Sequence, residues 1–352
     1  VTAHDLAANW SNDQHWEHLV DPYDDGGSSA DPDYDGGASY SMIPTLANDL
    51  IAEMNIPIGF VPCALGGTSI DEWQPGHSSG LYDNSVAEAQ TVGGVELIIM
   101  LQGESDIGDT RTQYKTDLQT MYSQYTTDLY ADIPLFICQI GRNTAGNDYG
   151  TTQIRSAQTE LDAVTGIYLS ATGADAPLVD TWHYTKEGYH AYGHRLATTL
   201  LWHYGYRTFY RGPSIVSATF TDETRTAVNV TVQHNGGTDI TPASGMTGFE
   251  VLDGTTQIGI SSAVRGGPTT IVLTLNSAAP AGATLRYLYG AYPTVSGIVK
   301  DNTAVGLPLE PTVDPVTIGD IPNEPPVLAA IGDQSGVEGS QLTFTVSATD
   351  AD

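Results

Sequence analysis

Apolar positions in the first two hundred residues fall into two alternating patterns. Ile58-Gly-Phe-Val-Pro-Cys-Ala-Leu65, Val95-Glu-Leu-Ile-Ile-Met-Leu101, Pro134-Leu-Phe-Ile-Cys-Gln-Ile140 and positions 166–170 are short, nearly continuous apolar runs. Between them the period changes. Positions 40–55 place Ile43, Leu46, Ala47, Leu50, Ile51 and Met54 on one helical face, and 111–131 do the same with Tyr114, Leu118, Met121, Tyr122, Tyr125 and Leu129. Further helices are expected at 151–163 and 188–203. Ser39 or Ser41 could cap the first of these helices, and Pro44 suits its first turn. Buried strands alternating with amphipathic helices predict a parallel sheet covered on both faces. Residues 1–40, polar, acidic and Gly-rich around Trp10 and Trp16, read as loop.

After Pro213 the texture changes. Runs at 216–220, 227–233, 248–252, 269–275 and 284–289 are short, β-branched and separated by turn residues, which predicts an antiparallel β-sandwich. The expected organisation is an α/β domain over 1–210, a sandwich over 213–312 and a Pro-rich linker over 313–326. A third unit is expected to begin at 327 and to be cut off at 352. In it Leu342-Thr-Phe-Thr-Val-Ser347 alternates cleanly, as a strand would.

Charge narrows the setting. Forty-two acidic against twelve basic residues give a net charge of −30, and only three lysines occur. Such a surface repels nucleic acid and anionic membranes and suits an extracellular or cell-surface protein of secreted bacterial type. No apolar run reaches the roughly 18 residues of a membrane span. With neither an initiator Met nor a signal peptide, the chain reads as a mature product or a fragment. Cys63 and Cys138, each near the end of an expected buried strand, read as free thiols.

Candidate chemistry sits where the strands end. Asp180-Thr-Trp-His183 follows the apolar run Ala176-Pro-Leu-Val179 and supplies an imidazole base with a carboxylate three residues away. Acyl transfer needs such a base, and the carboxylate would fix its tautomer. Gly66-Gly67-Thr68-Ser69-Ile70-Asp71-Glu72-Trp73 offers backbone N–H groups able to approach an oxyanion, and Trp73 offers a flat face to a sugar. Gln102-Gly103-Glu104-Ser105-Asp106 places five small or polar residues after a fully apolar strand, a poor core and a good site lining. Thr68 and Glu104 join Trp73 as candidate substrate-binding residues. No zinc spacing, P-loop or dinucleotide fingerprint occurs. His190 and His194, four apart, lack the Glu of a metalloprotease motif.

Taken in order, Gly-Gly-Thr-Ser-Ile-x-x-Trp, Gln-Gly-Glu-Ser-Asp and Asp-x-x-His resemble the SGNH (GDSL-like) hydrolases. The branch they most resemble is the carbohydrate esterases that include sialate O-acetylesterases and acetylxylan esterases. Ile154-Arg155-Ser-Ala-Gln158 fits the same branch, and the resemblance covers about residues 36–205. It implies a flavodoxin-like three-layer α/β/α sandwich and hydrolysis of acetylated glycans through a serine acyl-enzyme. By it, His183 is the base, Asp180 its orienting carboxylate and Gly67 an oxyanion donor, with Gln102 preferred over Ser105 as a second donor. The family's nucleophile block is absent. Ser28, Ser29, Ser39 and Ser41 lack a preceding apolar strand, so the first strand and its serine are expected upstream of Val1. This chain alone is then expected to be inactive. Two alternatives are a catalytically degenerate domain of an adhesion or glycan-binding protein and a GDSL-type lipase. The C-terminal stretch resembles the start of a cadherin-like or bacterial Ig-like repeat. That resemblance implies further C-terminal domains and a structural Ca²⁺ held by Glu338, Asp350 and Asp352. No cofactor is expected for catalysis.

Overall fold

The computed structural model describes residues 2–11, 14–19, 40–321, 327–341 and 343–349. Its first part is the expected parallel α/β architecture. Elements run β1 (Ala7–Trp10), β2 (Trp16–His18), α1 (Ile43–Met54), β3 (Ile58–Phe60), α2 (Leu81–Thr91), β4 (Ile98–Leu101), α3 (Arg111–Asp128), β5 (Leu135–Cys138), α4 (Asp148–Leu161), β6 (Ile167–Leu169) and α5 (Lys186–His203). The Ser41 hydroxyl accepts the Ile43 N–H at 3.2 Å, and Pro44 lies in the first turn of α1. In the ladder β4-β5-β6 all strands are parallel. Alternate side chains leave it in opposite directions. Ile99, Leu101, Phe136, Cys138 and Tyr168 pack on α1 and α5. Ile98, Met100, Leu135, Ile137, Ile167 and Leu169 pack on α3 and α4. Three layers result, α/β/α.

One expectation for this part is corrected, and one helix is added. Residues 1–40 are not loop throughout: β1 pairs parallel to β3 and antiparallel to β2. These strands are three or four residues long, and β2 is fully exposed, so no apolar period announces them. Helix α2 was not anticipated, because only Tyr82 and Ala89 of its eleven residues are buried.

The sheet is also interrupted. Strands β2-β1-β3 and β4-β5-β6 form separate ladders, and no ladder joins β3 to β4 among the described residues. Ile58 and Phe60 nevertheless share one apolar cluster with Ile99 and Leu101 under α1 and α5. Each residue of β4 is apolar yet only half-buried, whereas all four of β5 are buried.

The second part is built from β7 (Ser214–Phe220), β8 (Ala227–Gln233), β9 (Ile240–Thr241), β10 (Phe249–Asp253), β11 (Thr256–Ile258), β12 (Ile260–Gly267), β13 (Thr270–Leu275), β14 (Thr284–Tyr287), β15 (Lys300–Asp301) and β16 (Val316–Gly319). Eight of them join in the order β11-β10-β14-β16-β7-β8-β13-β12, antiparallel except for β16 beside β7. The edge strands β11 and β12 are consecutive in the chain, separated by Gly259 alone, so the sheet curls around one core of Val228, Val230, Val251, Ile271, Leu273 and Leu285. Strand β16 lies in the stretch read as linker. Val316 and Ile318 anchor it to the core despite the surrounding prolines.

Beyond it, β17 (Val327–Leu328) pairs only with β18 (Ala348–Thr349), and every described residue from 327 on is exposed. Residues 343–347, read as a strand from their alternation, belong to none; Leu342 lies outside the described residues. Alternation without an apolar layer to pack against has nothing to bury.

The two parts are tied by buried polar contacts. Arg155 of α4 donates to the carbonyls of Ile140 and Gly141 within its own part, and to those of Leu288 and Gly290 in the second. Arg211 bridges Asp162 and Glu310, and Asp175 takes both Arg195 and Lys300.

Candidate active site

Three chain segments leaving strand ends build the candidate site. In the turn after β6, the Leu178–Tyr184 bridge and the Val179 N–H to His183 carbonyl bond close a narrow loop. Asp180 Oδ1 accepts the backbone N–H groups of Trp182 and His183, both at 2.7 Å. Its Oδ2 lies 2.7 Å from His183 Nδ1. One oxygen thus shapes the turn while the other orients the ring. Desolvation alone would raise the Asp180 carboxyl, but the His183 N–H and ring and the Trp182 N–H outweigh it and lower it to about 2. The carboxylate is therefore ionised wherever an imidazole base works.

The segment after β3 carries Gly66 and Gly67. Gly67 has φ +74, and a Cβ at either glycine would meet nothing within 4 Å, so this backbone is open to a ligand. Among the described residues no acceptor takes the Gly67 N–H. Thr68 holds the loop from within: its hydroxyl donates to the Leu65 carbonyl at 2.8 Å and accepts the Trp73 indole N–H at 3.0 Å. Trp73 is half-buried against the cluster of Ile70 and Tyr82. The Glu72 carboxylate accepts the Ser69 N–H at 2.8 Å and closes a capping box, which gives Ser69 a structural task.

The segment after β4 locks onto that loop. The Gln102 amide donates to the Thr68 carbonyl at 3.2 Å and to Asp106 Oδ2, so both of its hydrogens are engaged. Gln102 Oε1 accepts from Tyr114 at 3.1 Å, and the Gln102 carbonyl accepts from Gln158 at 2.9 Å. Asp106 Oδ1 accepts the Ile70 N–H at 2.9 Å. Asp106 is thus the hinge pin between the two segments. Sequence reading included it in its motif without assigning it a task; its place four residues after Gln102 was the available signal. Gly103 has φ +133, and a Cβ there would lie 2.8 Å from Ile154, so no other residue fits. Ser105 is exposed.

Glu104 connects this pair of segments to the His183 turn. Its Oε1 is 3.5 Å from the Tyr184 hydroxyl, which also accepts the Gly141 N–H at 2.9 Å. Burial raises the Glu104 carboxyl and the nearby Asp106 adds to this, while His183 is close enough to act on it in the opposite sense. Gly67, Thr68, Gln102, Glu104, Asp180 and His183 therefore belong to one edge, at the carboxyl ends of β3, β4 and β6, where ligands of parallel sheets bind.

Other predicted positions lie apart. Ser28, Ser29 and Ser39 fall outside the described residues, as do Asp350 and Asp352; Glu338 is exposed. Among the described residues no three His, Cys, Asp or Glu side chains are placed to hold a metal ion. Neither cysteine is joined in a disulfide. Cys138 faces α5, and burial pushes its thiol up to about 12, whereas Cys63 is near Tyr125 of α3. No described helix is long and apolar enough to cross a membrane.

Residues 1–202 match the family described as carbohydrate esterase, sialic acid-specific acetylesterase. A probable carbohydrate esterase from Arabidopsis thaliana is 32% identical over 152 residues, 41% of this chain and 55% of that protein. The match thus spans about half the length of that relative. Among solved structures, a carbohydrate acetylesterase from Xanthomonas citri superposes with a TM-score of 0.66 at 20% identity, covering 88% of this chain and 73% of the other. At that identity the likeness concerns the fold.

Proposed function

The chain belongs to the carbohydrate esterase, sialic acid-specific acetylesterase family, and from that premise we propose that it carries most of the active site of an enzyme that removes acetyl groups from glycans by serine acylation. The observation that carries this reading is the Asp180–His183 pair at 2.7 Å beside an open glycine backbone. In the proposed cycle a serine hydroxyl attacks the acetyl carbonyl and passes its proton to His183 Nε2. Asp180 Oδ2 accepts from Nδ1–H and stabilises the imidazolium. The Gly67 N–H donates to the tetrahedral oxyanion. His183 returns the proton to the departing sugar oxygen, and water repeats the sequence to release acetate and regenerate the serine. Gln102, with both amide hydrogens engaged, serves in this reading to hold the glycine loop.

The nucleophile is proposed to arrive on one further strand, between β3 and β4. The interrupted ladder and the half-buried, wholly apolar β4 support this. Because Ile98 N–H is turned to Pro134 of the β5 side, ladder alternation turns the N–H and C=O of Ile99 and Leu101 towards the gap. A parallel strand there would pair with Ile99 and Leu101 of β4 and deliver its carboxyl end beside Gly67.

The test is a burst experiment with p-nitrophenyl acetate. The 352-residue chain is expected to give no burst. A version extended at its N-terminus by an apolar strand ending in Gly-x-Ser is expected to give one equivalent and to release acetate from acetylated xylan or sialosides. His183→Ala should abolish turnover. Asp180→Asn keeps the Oδ1 acceptor but turns an amide donor to Nδ1, and should lower kcat by about 10⁴. A one-site burst from the unextended chain, or full activity in His183→Ala, sinks the proposal.

A further inference from the structure

One loop of the second part, residues 288–292, is bonded to the segment that holds the His183 turn. Its backbone is held on every side by the α/β part. Leu288 and Gly290 carbonyls accept from Arg155 at 3.3 and 2.8 Å. The Gly290 N–H donates to Thr152 Oγ1 and the Ala291 N–H to Asp148 Oδ1, each at 2.9 Å. The Ala291 carbonyl accepts the Asn143 N–H at 2.8 Å. The next residue along, Thr144, donates its N–H to the carbonyl of Thr181, inside the Asp180–His183 turn. Tyr292 therefore follows a backbone anchored within a few residues of the candidate base.

Tyr292 is itself 55% exposed, an uncommon setting for an aromatic on so firmly held a loop. The Arg142 guanidinium lies 4.8 Å from its ring centroid, and Arg142 is fixed in turn by its Nε–H to the Ala176 carbonyl at 3.1 Å. One face of the ring is thus occupied by a cation, which sets its tilt. An aromatic face presented in a fixed orientation loses little entropy when a sugar ring stacks on it.

We infer that Tyr292, backed by Arg142, is a glycan subsite that binds the sugar next to the acetylated one, so that the second part of the chain helps to select the substrate. The inference rests on the esterase reading for which sugar lies at His183, and on the loop geometry alone for where the neighbouring sugar lies.

Binding of acetylated xylotetraose and of O-acetylated sialyllactose to the 352-residue chain, followed by calorimetric titration, tests it without needing turnover. At least one probe is expected to bind, with Tyr292→Ala weakening it about tenfold and Tyr292→Phe retaining it. Tyr206→Ala, an exposed tyrosine beyond the far end of α5, should bind like the parent. Equal affinity in Tyr292→Ala and parent, or no binding of either probe, overturns the subsite. If Tyr292 proves silent while the strand-extended chain still releases acetate, the subsite alone falls. Tyr292-dependent binding without acetate release from the strand-extended chain would leave the subsite and remove the esterase.

Discussion

Glu104 is a carboxylate kept where burial disfavours its charge, with Asp106 adding to the effect. Its folded-state pKa lies above the ordinary 4.5. The folded chain then holds the proton more tightly than the unfolded one. The resulting stability is present below the ordinary value and is lost as pH rises through the folded value. Glu104→Gln is accordingly expected to melt roughly 2–4 °C higher than the parent near pH 8, with the gap closing towards about pH 4. Thermal melts across that range check it; a lower melting temperature near pH 8 would mean that the ionised form is supported. A destabilised acid close to His183 fits the proposed active site. Asp180 stands opposite: accepted hydrogen bonds hold it ionised down to about pH 2. The two carboxyl groups were equally visible in the sequence, but only their surroundings separate them.

At the scale of elements, Asp106 joins what the strands present. Replacing it with Ala leaves the buried Ile70 N–H and a Gln102 amide hydrogen without acceptors, at about 1–3 kcal/mol each. Asp106→Ala is expected to lower urea stability by on the order of 2–3 kcal/mol and to speed exchange of the Ile70 amide, which hydrogen-exchange NMR reads directly. Unchanged Ile70 protection would show that the pin is dispensable. The elements differ in how legible they were. Helix α3 shows through Tyr114, Leu118, Met121, Tyr122 and Tyr125, all buried, and β5 through four consecutive buried apolar residues. Strands β1 and β2 do not, being held by their neighbours' backbones more than by side chains. In β12 only Ala263 of eight residues is buried, so pairing with β13 makes the strand.

For the whole molecule, Arg155 decides how the two parts act on each other. It is 2% exposed, and burial lowers it to about 10, still far above neutral pH. Four carbonyls from both parts surround it. Arg155→Met leaves those acceptors unpaired and removes the clamp on the 288–292 loop. Scanning calorimetry of the parent is expected to give a single transition. The variant should melt several degrees lower and separate into two transitions, since each part keeps its own core. A single, unshifted transition in the variant would show that the contact is incidental.

The sequence alone determined the alternation of buried strands and amphipathic helices, the family, and the pairing of Asp180 with His183. These are local matters: a period of side chains, or four residues in one turn, needs no partner to be read. Only the tertiary structure decided the interruption between β3 and β4, the locking of Gln102 by Thr68 and Asp106, the opposite fates of Glu104 and Asp180, and the anchoring of the 288–292 loop on Arg155 and Asn143. Each depends on groups far apart in the chain, whose hydrogen bonds and desolvation exist only once the chain has folded.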